Sequence, residues 1–414
     1  MLRNPNYLFC LMASFVLGFV SILILPVGGP DMRVKIAMQT QNQVSGSQVS
    51  GSQVSGSQIS TFSVHSKSPI EVAQPIKQSA RQPIRQPVIT SALPAEEAAV
   101  FSPSEPARSK WSIPSLTKLV ALGSSPFPYS GPVPRSSKPF LNIKKGDRKG
   151  RKTRSGRVYW ADKTYSDQRV LLHIPRGFDT GKPGVIVLFF HGHGATLARD
   201  VVPRQRLPAQ ISNSGLNAVL VAPQFAVDAR DSSAGNFWKP GGTRRFLDEA
   251  ASQLARLLND PQAGDVFAKM PVVIVGYSGG YVPAAWTLAN GGIEQRVKGV
   301  VLLDGLYGEL GKFANWIEGK NSGFFLSAYA TSTLKGNNAL KHMLKQRGIS
   351  YTTKLKPTLK PGSVTFIKAV KGHRGYVTRA WAENPVSDLL ARIPGIAPRI
   401  DPARSAFLEP RLAN

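Results

Sequence analysis

The sequence predicts an α/β fold: a mostly parallel central sheet flanked by helices and preceded by a disordered tether. Three observations carry this. Continuous apolar runs at 184–190 (GVIVLFF), 217–222 (NAVLVA), 270–275 (MPVVIV) and 297–303 (VKGVVLL) read as strands buried on both faces. Helically spaced segments or long crossovers separate these runs, the pattern of parallel strand pairing. The first 140 residues show no sustained periodicity, only repeats and prolines.

Residues 1–30 form an anchor or signal segment. Leu8 to Leu25 is uncharged and almost wholly apolar, long enough to cross a hydrocarbon layer as a helix. Arg3 ahead of an apolar middle also fits a secretory signal. The two readings predict a membrane-anchored envelope protein, with residues 8–25 in contact with the membrane, or a secreted or periplasmic one. Cys10 is the single cysteine, which excludes an intrachain disulfide and any multi-cysteine metal site.

Residues 31–155 read as a linker. The repeat QVSGS recurs through 43–60, too polar and Gly/Ser-rich to offset the entropy of ordering. Seven prolines between Pro69 and Pro106 favour extended chain. A small ordered piece is expected near Trp111 to Leu122. The run 144–157, KKGDRKGRKTRSGR, holds eight basic residues and one acidic. It predicts either a solvated junction or a patch for an anionic envelope surface. Without interleaved aromatics it does not predict nucleic acid as a partner. The whole chain carries 52 Lys and Arg against 24 Asp and Glu, which favours an acidic partner or substrate. Its composition excludes collagen-like, coiled-coil and disulfide-scaffold architectures.

The folded domain is expected over 156–400, with a loose tail at 401–414. Arg157–Ala161 and Arg169–Ile174 predict strands ahead of the run at 184–190. Phe246, Ala250, Leu254 and Leu257 fall on one side of a predicted helix over 246–258. A helix over 281–288 with Pro283 in its first turn follows the strand at 270–275. Further strands are predicted at 323–328 and 364–370, with a basic helix over 334–346 between them and another near the C-terminus.

Gly276-Tyr277-Ser278-Gly279-Gly280 is a G-x-S-x-G motif, placed between a buried strand and a helix. A serine on so tight a turn needs small neighbours, and its hydroxyl then stands at the carboxyl end of the sheet. A base must follow. His65 lies in the tether, His173 within a strand and His342 on a basic helix. His373, in KGHRG after the last strand, is the candidate. The acid candidate is Asp304, directly after the strand at 297–303, with Glu309 as the alternative. An oxyanion hole needs two donors. Gly279 N–H supplies one. The loop Phe190-His191-Gly192-His193-Gly194 offers the other, from His193 or Gly194. His191 and His193 alone do not make a metal site, and no cofactor is predicted. Phe237, Trp238, Tyr277 and Tyr307 are candidates for a substrate pocket.

The pieces FFHGHGA at 189–195, GYSGG at 276–280, LLDG at 302–305 and GHRG at 372–375 resemble the α/β-hydrolase superfamily of esterases, lipases and peptidases. The resemblance spans about 156–400. It implies a Ser278–His373–Asp304 triad, an acyl-enzyme intermediate and hydrolysis of an ester, amide or thioester in a small-molecule or lipid-like acyl substrate. It also implies an acid one strand later than Asp304 in the commoner arrangement. The alternative is a non-catalytic envelope- or polyanion-binding protein on the same scaffold.

Overall fold

The computed structural model describes residues 115–399, apart from 137, 320–322 and 370–371. The strands, in chain order, are β1 (Leu116–Ala121), β2 (Ile143–Lys145), β3 (Arg148–Lys152), β4 (Val158–Trp160), β5 (Arg169–Ile174), β6 (Val185–Phe190), β7 (Ala218–Pro223), β8 (Val272–Tyr277), β9 (Val297–Leu303), β10 (Phe324–Tyr329) and β11 (Val364–Lys368). Eight of them form one sheet in the order β1-β5-β7-β6-β8-β9-β10-β11. The pairs β1/β5 and β5/β7 are antiparallel, and every pair from β7 to β11 is parallel.

The central strands read as unbroken apolar runs because both of their faces are covered. On β6, Ile186, Leu188 and Phe190 enter one core cluster, while Val185, Val187 and Phe189 enter the other. β8 divides the same way, with Val272 and Ile274 on one face and Val273, Val275 and Tyr277 on the opposite one. The helix Gly242–Leu258 covers the first face with Phe246, Leu247, Ala250, Ala251 and Leu254. Asn259 ends it in the left-handed conformation at φ 54°, donating its N–H to the carbonyls of Ala255 and Arg256.

The chain leaves β6 for β7 on one side and reaches β8 on the other. That reversal opens a crevice at the carboxyl ends of β6 and β8, where open α/β sheets bind ligands. The loops after β6, β8, β9 and β11 therefore lie at the same end of the sheet, and they carry every residue of the predicted triad.

Ordered elements are present well before the predicted boundary at 156. β1 is an edge strand of the main sheet and pairs with β5 along its full length. The basic run, read as a linker, folds instead with its neighbours into the antiparallel sheet β2-β3-β4. Its charges hid the hairpin, because most of them face water. Two of them do not. The Arg148 guanidinium is bidentate to Asp162 and lies 4.7 Å from the Trp160 ring centroid. Arg151 lies over Phe140 and 3.1 Å from Asp231. The predicted first strand at 157–161 is β4 of this small sheet rather than a strand of the large one.

The predicted membrane helix is corrected. Among the described residues no helix is long and apolar enough to cross a membrane, and residues 8–25 lie outside them. The membrane contact and the membrane-anchored location therefore have no spanning helix among the described residues to rest on. The repeats of 43–60, the Pro-rich segment and the tail at 401–414 also lie outside the described residues.

Candidate active site

β8 runs into a 3-10 turn over Ser278–Gly280, and the helix Tyr281–Asn290 follows at once. Ser278 sits at the bend with φ +51°, a left-handed conformation that costs a non-glycine residue about 1–2 kcal/mol. The surroundings enforce it. Gly280 packs so tightly under β6 that a Cβ there would lie 2.2 Å from the Phe190 carbonyl oxygen. The bend turns the Ser278 hydroxyl away from the core and towards the crevice, although the residue is only 8% exposed.

The Ser278 Oγ lies 2.9 Å from Nε2 of His373, on the 3-10 turn His373–Gly375 after β11. His373 Nδ1 is 2.5 Å from Oδ2 of Asp304. Asp304 follows β9 and is fully buried. Its carboxylate accepts three further hydrogen bonds: from the Ala330 N–H at 3.1 Å, the Ser332 hydroxyl at 2.6 Å and the Thr333 hydroxyl at 2.5 Å. Burial alone would raise its pKa. The His373 bond and these donors outweigh burial and hold it down at about 2. A fixed negative charge thus stands behind the imidazole. It selects the tautomer with the proton on Nδ1 and leaves Nε2 free to accept the serine proton. Glu309, the alternative acid, is instead ion-paired to Lys312.

Two neighbours fix His373. The Tyr277 ring stacks on the imidazole with centroids 5.2 Å apart and planes 27° from parallel. The Tyr277 hydroxyl donates to the His373 carbonyl at 3.1 Å. Burial pushes that phenol up to about 12, so it stays a donor through the neutral range.

The loop after β6 is held from beneath by His191. Its Nδ1 lies 2.8 Å from the Gly192 carbonyl, and its Nε2 accepts from the Phe225 N–H at 2.9 Å. Gln224 adds a contact at 3.0 Å and also binds the Ala195 carbonyl and the Leu197 N–H. Burial pushes His191 down to about 4, so the ring is neutral and can accept as well as donate. Gly192 lets this loop reach the nucleophile, since a Cβ there would stand 2.8 Å from Cβ of Ser278. His193 and Gly194 both line the cleft. The Gly194 N–H is already committed to the Ala229 carbonyl at 2.9 Å. That leaves His193 as this loop's candidate donor beside Gly279. The His193 ring turns to Ser232, with Nε2 and Oγ 2.5 Å apart.

The cleft in front of Ser278 has a volume of about 920 Å³, within the range of small-molecule sites. Tyr277 and Tyr307 line it as predicted, together with Tyr281. Phe237 and Trp238 do not. Phe237 is buried among Phe190, Phe225 and Phe246, and Trp238 packs on Tyr129 and Phe140. The crossover that bears them passes the crevice first, at 230–232, and has turned back into the core by Phe237. The same crossover supplies residues that the sequence reading passed over, Arg230 and Ser232. Ser332 and Thr333 were also passed over. The only trace of their role is a Thr-Ser-Thr run after a strand that ends without a carboxylate.

No protein-family model matches the chain, and no curated protein matches it. Solved structures similar to it include the feruloyl esterase module of Clostridium thermocellum in complex with sinapinate, at 15% identity and a TM-score of 0.38, covering 66% of this chain and 95% of that one. An S-formylglutathione hydrolase from Agrobacterium tumefaciens is similar at 11% identity and a TM-score of 0.35, covering 60% and 95%. An IroE-like serine hydrolase from Shewanella oneidensis is similar at 13% identity and 0.34, covering 59% and 78%. At such scores these likenesses carry no argument. Sheet order, the strained serine and the order of serine, acid and histidine along the chain do carry one: this chain has the α/β-hydrolase fold and bears a serine-hydrolase triad on it.

Proposed function

We propose that the protein hydrolyses a carboxylic ester through Ser278, His373 and Asp304, by way of an acyl-enzyme intermediate. The observation that carries this is the unbroken chain from the Ser278 hydroxyl through His373 to the buried Asp304 carboxylate, at 2.9 and 2.5 Å.

The steps follow from the atoms. Ser278 Oγ bonds to the acyl carbon as its proton passes to His373 Nε2. The carbonyl oxygen becomes an oxyanion, which we assign to the N–H groups of Gly279 and His193. The bond from carbon to the leaving oxygen breaks, and the imidazolium hands that oxygen its proton. Water then attacks the acyl-serine, giving its proton to His373. The tetrahedral centre collapses, the proton returns to Ser278 Oγ, and the acid is released. Asp304 stays ionised throughout and stabilises each imidazolium.

Ester rather than amide is favoured by how open the base is. The His373 side chain is 38% exposed, and the cleft is lined largely by polar groups rather than by a deep apolar slot. An alkoxide or phenoxide leaves readily with little enforced positioning, whereas an amine needs a closely held proton donor. The test is labelling with a fluorophosphonate probe alongside hydrolysis of 4-nitrophenyl acetate by the wild type, Ser278→Ala and His373→Ala. Labelling and turnover in the wild type, both absent in Ser278→Ala, are the expected result. A folded wild type that neither labels nor turns over the ester would refute the proposal.

A further inference from the structure

Four arginines line the cleft in front of Ser278: Arg199, Arg204, Arg230 and Arg374. Two are neutralised within the protein. Arg199 is paired with Asp200 and Asp228, and Arg204 with the other oxygen of Asp200. Arg230 and Arg374 are different. Both are exposed, and among the described residues neither guanidinium has a carboxylate partner. Among the described residues Asp200 is the only acidic one that lines the cleft, and its two oxygens are occupied.

These two cations line one cleft from different segments of the chain. Arg374 directly follows His373, the residue that protonates the leaving group. Arg230 lies two residues before Ser232, whose hydroxyl holds the His193 ring. Their fields reach the site. At His193 burial opposes protonation most, the charge of Asp231 favours it, and the charges of Arg230 and His373 oppose it. Around Tyr277, whose phenol burial pushes up, the charges of Arg204 and Arg374 act in the opposite sense.

Arg230 is also held in place. The Tyr159 hydroxyl accepts from its backbone N–H at 3.1 Å. The next residue, Asp231, takes the Tyr165 hydroxyl at 2.6 Å and Arg151 at 3.1 Å. The small sheet β2-β3-β4 thereby clamps the segment that presents Arg230, which gives the basic hairpin a structural task at the cleft.

We infer that Arg230 and Arg374 form an anion subsite beside Ser278, and that the ester the protein hydrolyses carries a carboxylate or a phosphate group. The inference rests on the hydrolase reading and adds the charge of the substrate. A guanidinium presents a planar fork of donors that matches either group, and a charge-assisted bond in a partly enclosed cleft is stronger than one between neutral groups. Two unpartnered guanidinia around one cleft also repel each other, and an anionic substrate relieves that repulsion.

The test compares ester pairs matched in shape but not in charge. For charge on the alcohol, the pairs are 3-acetoxybenzoate and 3-acetoxyphenyl phosphate, each against 3-acetoxybenzamide. For charge on the acyl group, the pair is 4-nitrophenyl hemiglutarate against 4-nitrophenyl pentanoate. The readout is the charged-to-neutral ratio of kcat/KM, taken within each protein so that a general loss of activity cancels. In the wild type at low salt one arm should give a ratio of about tenfold or more, shrinking at high salt. Arg230→Gln and Arg374→Gln should each lower that ratio several-fold. The arm that responds separates carboxylate from phosphate and alcohol from acyl.

Ratios near one in a wild type that turns over the neutral esters would overturn the subsite and leave the hydrolase reading standing. A high ratio unchanged in both variants would overturn its assignment to these two residues. Failure to cleave any ester, with no fluorophosphonate labelling of Ser278, would overturn the hydrolase reading itself.

Discussion

Replacing Asp304 with asparagine tests the catalytic chain at its least replaceable point. The carboxylate has four donors around it. Oδ1 accepts from the Ala330 N–H and the Thr333 hydroxyl, and Oδ2 from His373 Nδ1 and the Ser332 hydroxyl. An amide can accept on one side only. The hydroxyls can rotate to accept, and the imidazole can change tautomer, but the Ala330 backbone N–H can do neither. The amide oxygen must therefore face Ala330, because the opposite orientation buries two facing donors at a cost of about 1–3 kcal/mol. The NH2 group then points at His373 Nδ1 and forces the imidazole proton onto Nε2, where it faces Ser278 Oγ. The base is lost while the shape of the site is kept. The imidazolium formed during reaction also loses its counter-charge. Together these should lower kcat by about 10³–10⁴-fold, roughly 4–5.5 kcal/mol of transition-state stabilisation. Steady-state hydrolysis of 4-nitrophenyl acetate measures the loss, and circular dichroism checks the fold. An Asp304→Asn protein that keeps its fold and stays within about threefold of wild-type kcat would show that Asp304 does not orient the base.

The same carboxylate links stability to pH. Its folded pKa of about 2 lies below the ordinary value of 3.8, so its contribution is complete above about pH 4 and is lost as pH falls through 2, about 2 kcal/mol in all. The drop in urea midpoint between pH 5 and pH 2.5 should be smaller in Asp304→Asn than in the wild type, and equal drops would contradict the assignment. Gly192→Ala drives a Cβ to 2.8 Å from that of Ser278 and should cut kcat at least about tenfold, with the sheet intact by circular dichroism. Wild-type kcat in that variant would show that the loop can retreat without cost. Tyr277→Phe keeps the ring over His373 but removes the hydroxyl bond to its carbonyl. We expect a several-fold fall in kcat with little change in KM, and a rise in KM alone would recast Tyr277 as a substrate contact.

What could be read from the sequence, and what could not, divides along a physical line. Buried parallel strands are legible because both faces are apolar, so β6, β7, β8, β9 and β10 stand out as runs, and the glycines around Ser278 mark a turn that only small residues permit. β1, expected only as a small ordered piece near 111–122, and the hairpin β2-β3, read as linker, are the opposite case. β1 keeps three of its six residues exposed at the sheet edge, and β3 is RKGRK, with only its glycine buried. Neither presents the contrast between faces that a periodicity search detects. The triad was legible because each member ends or follows a strand, and sheet order then brings those ends together. Side chains delivered by crossovers were not. Phe237 and Arg230 lie seven residues apart on one crossover, yet the aromatic turns into the core and the arginine faces the cleft. The Arg151–Asp231 pair holds the stretch beside Arg230, yet Arg151 lies in a basic run that reads as a solvated junction or an anion-binding patch, and Asp231 in a crossover that stands out only for its aromatics. The specificity of such an enzyme is thus encoded where sequence patterning is weakest, in polar pairs between loops, while its chemistry is encoded where patterning is strongest, at the ends of buried strands.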